Sequence, residues 1–361
     1  MTFDELLKIA VNKEASDLHL VADMLPILRV DGELVEVQDS KALSGEDIKT
    51  MIFSVLDERR RETFEREREL DISYEIKGLS RFRVNLHWEK DQVSVAARVI
   101  SSITPSLEQL QMPPVVYELL RLKQGLILIT GPTGCGKSTT LAAMIDLINA
   151  ERRCNIVTLE DPIEFVYLPK KSIVRQRQLG SDMLSFTDAL KHVVRQDPNV
   201  ILVGEMRDLE TIATTITLAE TGHLVLATLH TYNAAQTVDR IIDVFPSNQQ
   251  AQIRLQLSLF LKGIISQQLL PRIRAKKGVL GNDKIEPLTY GRVSSREVLI
   301  NTPAIANLIR ENKIPQIRSV IQTSADLGMH TMDQNIRRLY KEGFISRETA
   351  LTYMQEPETL E

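Results

Sequence analysis

From about residue 126 onward the apolar residues come in short, nearly unbroken blocks. "LILIT" at 126–130 is the first, and others follow at 155–159, 200–203 and 224–229. Runs that short, with no polar side, are the mark of strands buried on both faces. Between them lie stretches with the three-and-four spacing of a helix, beginning with "STTLAAMIDLIN". Strands alternating with helices predict a parallel sheet flanked by helices. From about residue 290 the pattern turns mostly helical, in "TPAIANLIREN", "PQIRSVIQTSADLG", "TMDQNIRRLYKEG" and "SRETALTYMQ". Gly328 and Gly343 would stop two of these helices.

The first hundred residues follow another rhythm. A helix is predicted at 3–13, then "SDLHL" and "PILRVDGELVEV", where Asp31-Gly32 between alternating apolar positions marks a hairpin turn. A helix at 44–56 and the mixed-charge "DERRRETFEREREL", a solvated helix face, come next. A second hairpin pairs "SRFRVNLH" with "QVSVAARVI". In its first strand Phe82, Val84 and Leu86 point one way and Arg81, Arg83 and Asn85 the other. "SSITPSLEQLQMPP" at 101–114, with three prolines, is the expected linker. The expected organisation is an α/β protein: a small domain at 1–100, the linker, a core at 115–289 and a helical section at 290–361.

Bulk properties narrow the class. A chain of 361 residues suggests two domains. Its 43% hydrophobic and 25% charged residues are an ordinary globular balance. A net charge of −4 offers no whole-chain field for nucleic acid. The basic segment "KKSIVRQRQ" at 170–178 lacks the interleaved aromatics that stack bases, so a solvated loop is expected there and no nucleic-acid partner. No apolar run approaches the length that spans a bilayer, and "MTFDELLKIAVNKEA" is an amphipathic helix rather than a signal peptide. Two cysteines, Cys135 and Cys154, fit a reducing cytosol and are too few for a four-cysteine zinc site.

The chemistry concentrates at "GPTGCGKSTT". Gly131, Pro132, Thr133, Gly134, Cys135, Gly136, Lys137, Ser138 and Thr139 carry the spacing of a phosphate-binding loop. Backbone N–H groups in such a loop turn inward on an anion, and the helix that follows adds its positive end. Lys137 would reach the β- and γ-phosphates of ATP, and the Ser138 hydroxyl would sit on Mg²⁺. Glu160, Asp161 and Glu164 in "TLEDPIEF" follow an apolar strand, and so does Glu205 in "VILVGEMRD". In an open α/β sheet the ligand lies beyond the carboxyl ends of the strands, which brings these acids beside the loop. Hydrolysis needs a water aimed at the γ-phosphate and a group to take its proton. Either Glu164 or Glu205 fits that role on spacing, and Glu205 also fits a water-mediated hold on Mg²⁺. "TGHLVLATLHT" sets His223 before a strand and His230 after it. His230 is the expected γ-phosphate sensor. His223 is grouped with the nucleotide-binding set or with a subunit contact.

These four boxes, in this order, resemble the secretion ATPases of type IV pili and type II secretion: Walker A, Asp box, Walker B and His box. "SDLHL" and "RFRVN" match that family's N-terminal domain. Within it the chain is most similar to the pilus retraction ATPases, the PilT family. It starts directly with the small domain, lacks a four-cysteine zinc element and carries "AIANLIREN", which resembles the retraction motif. Cys135 stands where the family usually has Ser, and Ala306 where the motif usually has Arg. The resemblance implies a PAS-like N-terminal domain on a RecA-like core, and a homohexameric ring that hydrolyses ATP with Mg²⁺. It also implies action at the cytoplasmic face of the inner membrane through a platform protein of the pilus machinery. A PilU-like paralogue or an assembly motor has the same chemistry. No arginine lies beside Lys137 in the loop, and the resemblance makes Arg81, Arg83 and Arg98 of the small domain the nucleotide-contacting arginines. They would act from the same chain or from a neighbour.

Overall fold

The computed structural model describes every residue except 31–32, 39, 101–103, 274–290 and 361. It divides into two units, 1–103 and 104–361. The first unit runs α1 (Phe3–Asn12), β1 (Asp17–Leu20), β2 (Ile27–Val30), β3 (Glu33–Glu36), α2 (Gly45–Phe53), α3 (Glu58–Glu67), β4 (Glu69–Ile76), β5 (Ser80–Glu89) and β6 (Gln92–Ile100). Its sheet has the order β3-β2-β1-β6-β5-β4, antiparallel throughout.

Local chemistry explains the helix entries. The Thr2 hydroxyl accepts from the Glu5 N–H while the Glu5 carboxylate accepts from the Thr2 N–H, a reciprocal cap that starts α1. Phe3, Leu6, Leu7 and Ala10, one helix face, are buried together with Phe82, Val84 and Leu86 of β5. The expected alternation of β5 is present: Arg83 is exposed and Arg81 half-buried. β2 and β3 pair as the two arms of a hairpin; its predicted turn at Asp31-Gly32 lies outside the described residues.

The second unit contains α4 (Pro114–Arg121), β7 (Gly125–Thr130), α5 (Lys137–Glu151), β8 (Asn155–Glu160), β9 (Ile173–Gln178), α6 (Phe186–Val193), β10 (Val200–Val203), α7 (Leu209–Glu220), β11 (Leu224–Leu229), α8 (Ala234–Asp243), α9 (Ser247–Phe260), β12 (Leu261–Pro271) and β13 (Arg292–Ile300). Then come α10 (Pro303–Arg310), α11 (Ile317–Thr323), α12 (Met332–Lys341) and α13 (Arg347–Tyr353). The seven-stranded sheet has the order β13-β12-β7-β11-β10-β8-β9. Six strands run parallel, and β13 is antiparallel at the edge. Leu126 and Leu128 of β7 face one core, Ile127 and Ile129 the other. The sheet is therefore covered on both sides, as the unbroken apolar blocks require.

Three expectations change. The segment 170–178 is not a solvated loop: from Ile173 on it is the edge strand β9, whose exposed Arg175 guards an open strand edge. A boundary at 289/290 would cut the β12–β13 pair, since β13 completes the sheet before the helices begin at Pro303. Strands β12 and β13 hide from the apolar pattern because they bury polar residues: Ser266, Gln267, Ser295, Arg296 and Glu297. The linker expected at 101–114 is also shorter. From Thr104 the chain belongs to the second unit, with Leu107 and Met112 buried in its core.

Candidate nucleotide site

The site is built where β7 stops. All six residues of β7 are buried, and the chain leaves the sheet through 131–136 into α5. Two glycines make the turn possible. Gly131 has φ +140°, and a Cβ there would run into the carbonyl oxygen of Gln267. Gly136 caps α5 with φ +89°, a left-handed conformation that side chains disfavour. The α5 N-terminus therefore points its free N–H groups at the loop.

Lys137 folds back over this turn. Its ammonium donates to the carbonyls of Gly131 (2.8 Å) and Pro132 (3.1 Å) and lies 3.5 Å from His230 Nδ1. Burial lowers its pKa, and the charges of Glu205 and Glu164 oppose the shift. A phosphate entering the loop would replace those two carbonyls with full negative charge. Thr133 Oγ1 lies 3.5 Å from His230 Nδ1. The Cys135 side chain is buried inside the turn, and burial raises its thiol pKa, so it stays protonated filler.

Glu205 follows β10 and ties the acids to the loop. Its carboxylate accepts from Arg207 Nη2 at 2.9 Å and lies 2.9 Å from His230 Nε2. Burial alone would raise its pKa. The Arg207 hydrogen bond and the charges of His230, Arg207 and Lys137 outweigh burial and leave it below its ordinary value. Arg207 also approaches Asp161, at 3.8 Å. Glu164 is exposed and near enough to Lys137 for its charge to act there.

Glu160 is different in kind. It is buried, accepts from Thr158 Oγ1 (2.6 Å) and Gln176 Nε2 (3.2 Å), and burial raises its pKa to about 6. It holds the strand end rather than facing solvent. Between the ordinary 4.5 and about 6 the folded chain binds more protons here than the unfolded chain does. Stability is therefore lost as pH rises through that window. Glu160→Gln should match the parent near pH 4 and be more stable at pH 7, by about 2 kcal/mol. Thermal unfolding at the two pH values checks this; an equal gap at both refutes it.

Sequence reasoning placed Glu205, His230, Thr133 and Lys137 together, and the structure brings them into contact. It separates His223, which lies at the amino end of β11, with Nδ1 2.9 Å from the Leu218 carbonyl. His230 is at the other end of that strand, about 20 Å away, so His223 cannot reach this chain's loop. Arg81, Arg83 and Arg98 lie in the first unit. Arg83 and Arg98 are directly opposite on β5 and β6. Arg81 donates to Ser73 Oγ at 2.6 Å, Arg98 donates to Asp17 Oδ1 at 2.9 Å, and Arg83 lies 3.8 Å from Asp71.

Two residues at the site escaped the sequence reading. Arg207 stands two places beyond Glu205, and a cation there was legible in "GEMRD". Gln267 was not legible. Its amide donates to the Cys135 carbonyl (2.9 Å) and accepts from Thr140 Oγ1 (2.9 Å), fixing loop and helix from β12. Among the described residues, no three His, Cys, Asp or Glu side chains converge as a metal site. None of their helices is long and apolar enough to cross a membrane.

Residues 1–352 match the family described as "Type II/IV secretion system protein". The chain is 44% identical over 358 residues to a "Type IV pilus retractation ATPase PilT" of Pseudomonas aeruginosa, covering 99% of each. It is 38% identical over 353 residues to a "Type IV pilus ATPase PilU" of the same organism, covering 98% of this chain and 88% of that one. Among solved structures it superposes on "the Pilus Retraction Motor PilT and Bound ADP" with TM-score 0.90 and 44% identity, covering 99% of this chain and 98% of the other.

Proposed function

Since the chain belongs to the type II/IV secretion system protein family, we propose that it is the ATP-hydrolysing motor of type IV pilus retraction. The work would be pilin depolymerisation and, through it, twitching motility. The observation that carries this reading is the end-to-end likeness to a retraction ATPase, at 44% identity over 99% of both chains. The site supports it chemically. Lys137 would bind the β- and γ-phosphates, His230 would report their state to Glu205, and Glu164 or Glu205 would take the proton of the attacking water. Asp161 would anchor Arg207.

Mg²⁺ fits this donor set. The Ser138 hydroxyl and the ionised Glu205 carboxylate are oxygen donors of the kind a hard cation takes, Glu205 through water. Bound there, it would offset phosphate charge. Arg83 and Arg98 would supply further positive charge at the γ-phosphate, from the same chain or a ring neighbour. Arg98→Ala should then lower turnover far more than ATP affinity, and an equal loss of both would count against it. We take the working form to be a homohexamer at the cytoplasmic face of the inner membrane, acting through the pilus platform protein.

Deleting the gene tests the load. Excess, non-retracting pili support retraction, whereas bald cells mean an assembly motor. Ala306, a departure from the retraction motif, favours one second reading, an accessory retraction motor; a deletion that leaves retraction intact would point there.

The output end is proposed to be α10. Ile305 and Ile309 are buried and Leu308 packs half-buried on the same core, while Arg310 is exposed. Arg310→Ala should keep ATP turnover within about twofold, because exposed positions away from the phosphate rarely matter to folding, and should stop retraction. Loss of ATPase activity in a well-folded variant would contradict this.

A further inference from the structure

The β12–β13 pair holds a buried charge that the site above leaves unused. Arg296 is only 5% exposed. Among the described residues no carboxylate pairs with it. Its Nη2 donates to the Leu110 carbonyl at 2.9 Å, its Nη1 reaches the Gln111 carbonyl at 3.5 Å, and its Nε has no partner among the described residues. Burial, and then the like charge of Arg338, bring the guanidinium down to about 10, so it stays cationic at neutral pH. A buried cation with no counter-ion is costly, and an apolar residue of its size would ordinarily serve packing better.

The position of Arg296 suggests what it does. Its two carbonyl acceptors end the strap 104–112, the stretch through which the chain leaving the first unit enters the second. Leu107 and Met112 anchor that strap in the core, and Gln111 holds the positive φ of +52°. Directly opposite Arg296 on β12 is Gln267. Opposed residues of an antiparallel pair share a face, with Cβ atoms about 5 Å apart. Gln267 is the amide that holds the Cys135 carbonyl and the Thr140 hydroxyl. One small patch of the sheet therefore grips the strap with one side chain and the phosphate loop with its neighbour.

We propose that Arg296 is a positioning residue that ties the strap at 110–111 to the phosphate loop through Gln267. Tension on the chain leaving the first unit would then alter how the loop holds phosphate, and phosphate would alter the strap. The proposal rests on the ATPase reading above.

The test uses the full chain. Steady-state ATP turnover is measured for the parent, Arg296→Met and Arg296→Lys, and amide hydrogen exchange for the parent and Arg296→Met with and without ADP. In the parent, ADP should slow exchange at 134–138 and also at 110–112. Arg296→Met should lower kcat by about tenfold or more, since a misplacement of about 1 Å at the reacting centre can cost about a hundredfold. It should also abolish the ADP effect at 110–112 while keeping that at 134–138. Arg296→Lys, which keeps the charge and can reach one carbonyl, should recover part of the rate. A folded Arg296→Met with kcat within twofold of the parent overturns the proposal. So does an unchanged ADP effect at 110–112 in that variant. If Arg296→Met does not fold, the parent decides: protection at 134–138 without any at 110–112 overturns it. A parent with neither ATP turnover nor ADP protection at 134–138 would instead sink the ATPase reading.

Discussion

Lys137→Ala removes ATP turnover, by a factor of about 10² to 10³ or more, the scale seen when one donor to a transition-state anion is deleted. The ammonium is the group nearest the centre of the site, within 3.5 Å of two loop carbonyls and His230 Nδ1. Alanine takes away a charge that the β- and γ-phosphates need and leaves the Gly131 and Pro132 carbonyls facing the pocket. Those carbonyls repel phosphate, so affinity should fall together with rate. A phosphate-release assay and nucleotide binding by calorimetry read the two effects. A folded Lys137→Ala that keeps a tenth of the parental rate would remove the loop from the mechanism.

Glu205→Gln separates binding from chemistry. The substitution keeps the volume and an acceptor for Arg207 or His230, but it loses the negative charge and the capacity to take a proton. The Glu205 carboxyl is held below its ordinary value, so the parent carries that charge throughout the neutral range. ATP should still bind, because the loop N–H groups and Lys137 are untouched. Hydrolysis should fall by about 10² or more, the usual worth of a positioned acid–base group. Glu164→Gln belongs beside it in the same assay. If Glu164 takes the water's proton, it shows a comparable loss. If Glu205 does so alone, Glu164→Gln changes the rate little. Half the parental rate in the Glu205→Gln variant would leave Glu205 with no part in the reaction.

Both effects come from residues whose positions local sequence already determines. The phosphate loop is a strand, a turn and a helix in continuous chain. Its turn needs glycine at 131 and 136, both at positive φ, and an apolar strand before it. Glu205 and His230 follow directly from strand direction: each ends an apolar block, and parallel strands put those ends on one edge. The covered sheet was legible for the same reason, because strands buried on both faces leave an unbroken apolar signature. The alternation of β5 likewise sets Phe82, Val84 and Leu86 against Arg81, Arg83 and Asn85 by period two alone.

Tertiary structure alone decided the rest. His223, grouped with the nucleotide-binding residues or a subunit contact on sequence, lies at the amino end of β11 with Nδ1 on the Leu218 carbonyl, away from the loop. Strands β12 and β13 bury Ser266, Gln267, Arg296 and Glu297, so their apolar period is broken and no local pattern announces them. Those polar groups are tolerated because each finds partners far along the chain. Gln267 meets Thr140 and Cys135 from 127 and 132 residues away, and Arg296 reaches Leu110 across 186. A buried polar residue without such a partner would cost the fold several kcal/mol, and whether the partner exists is a property of the packed chain. The sequence thus determines what this protein's loop can bind. The placement of distant strands determines what holds the loop, since the Gln267 contacts form only when segments more than a hundred residues apart are brought together.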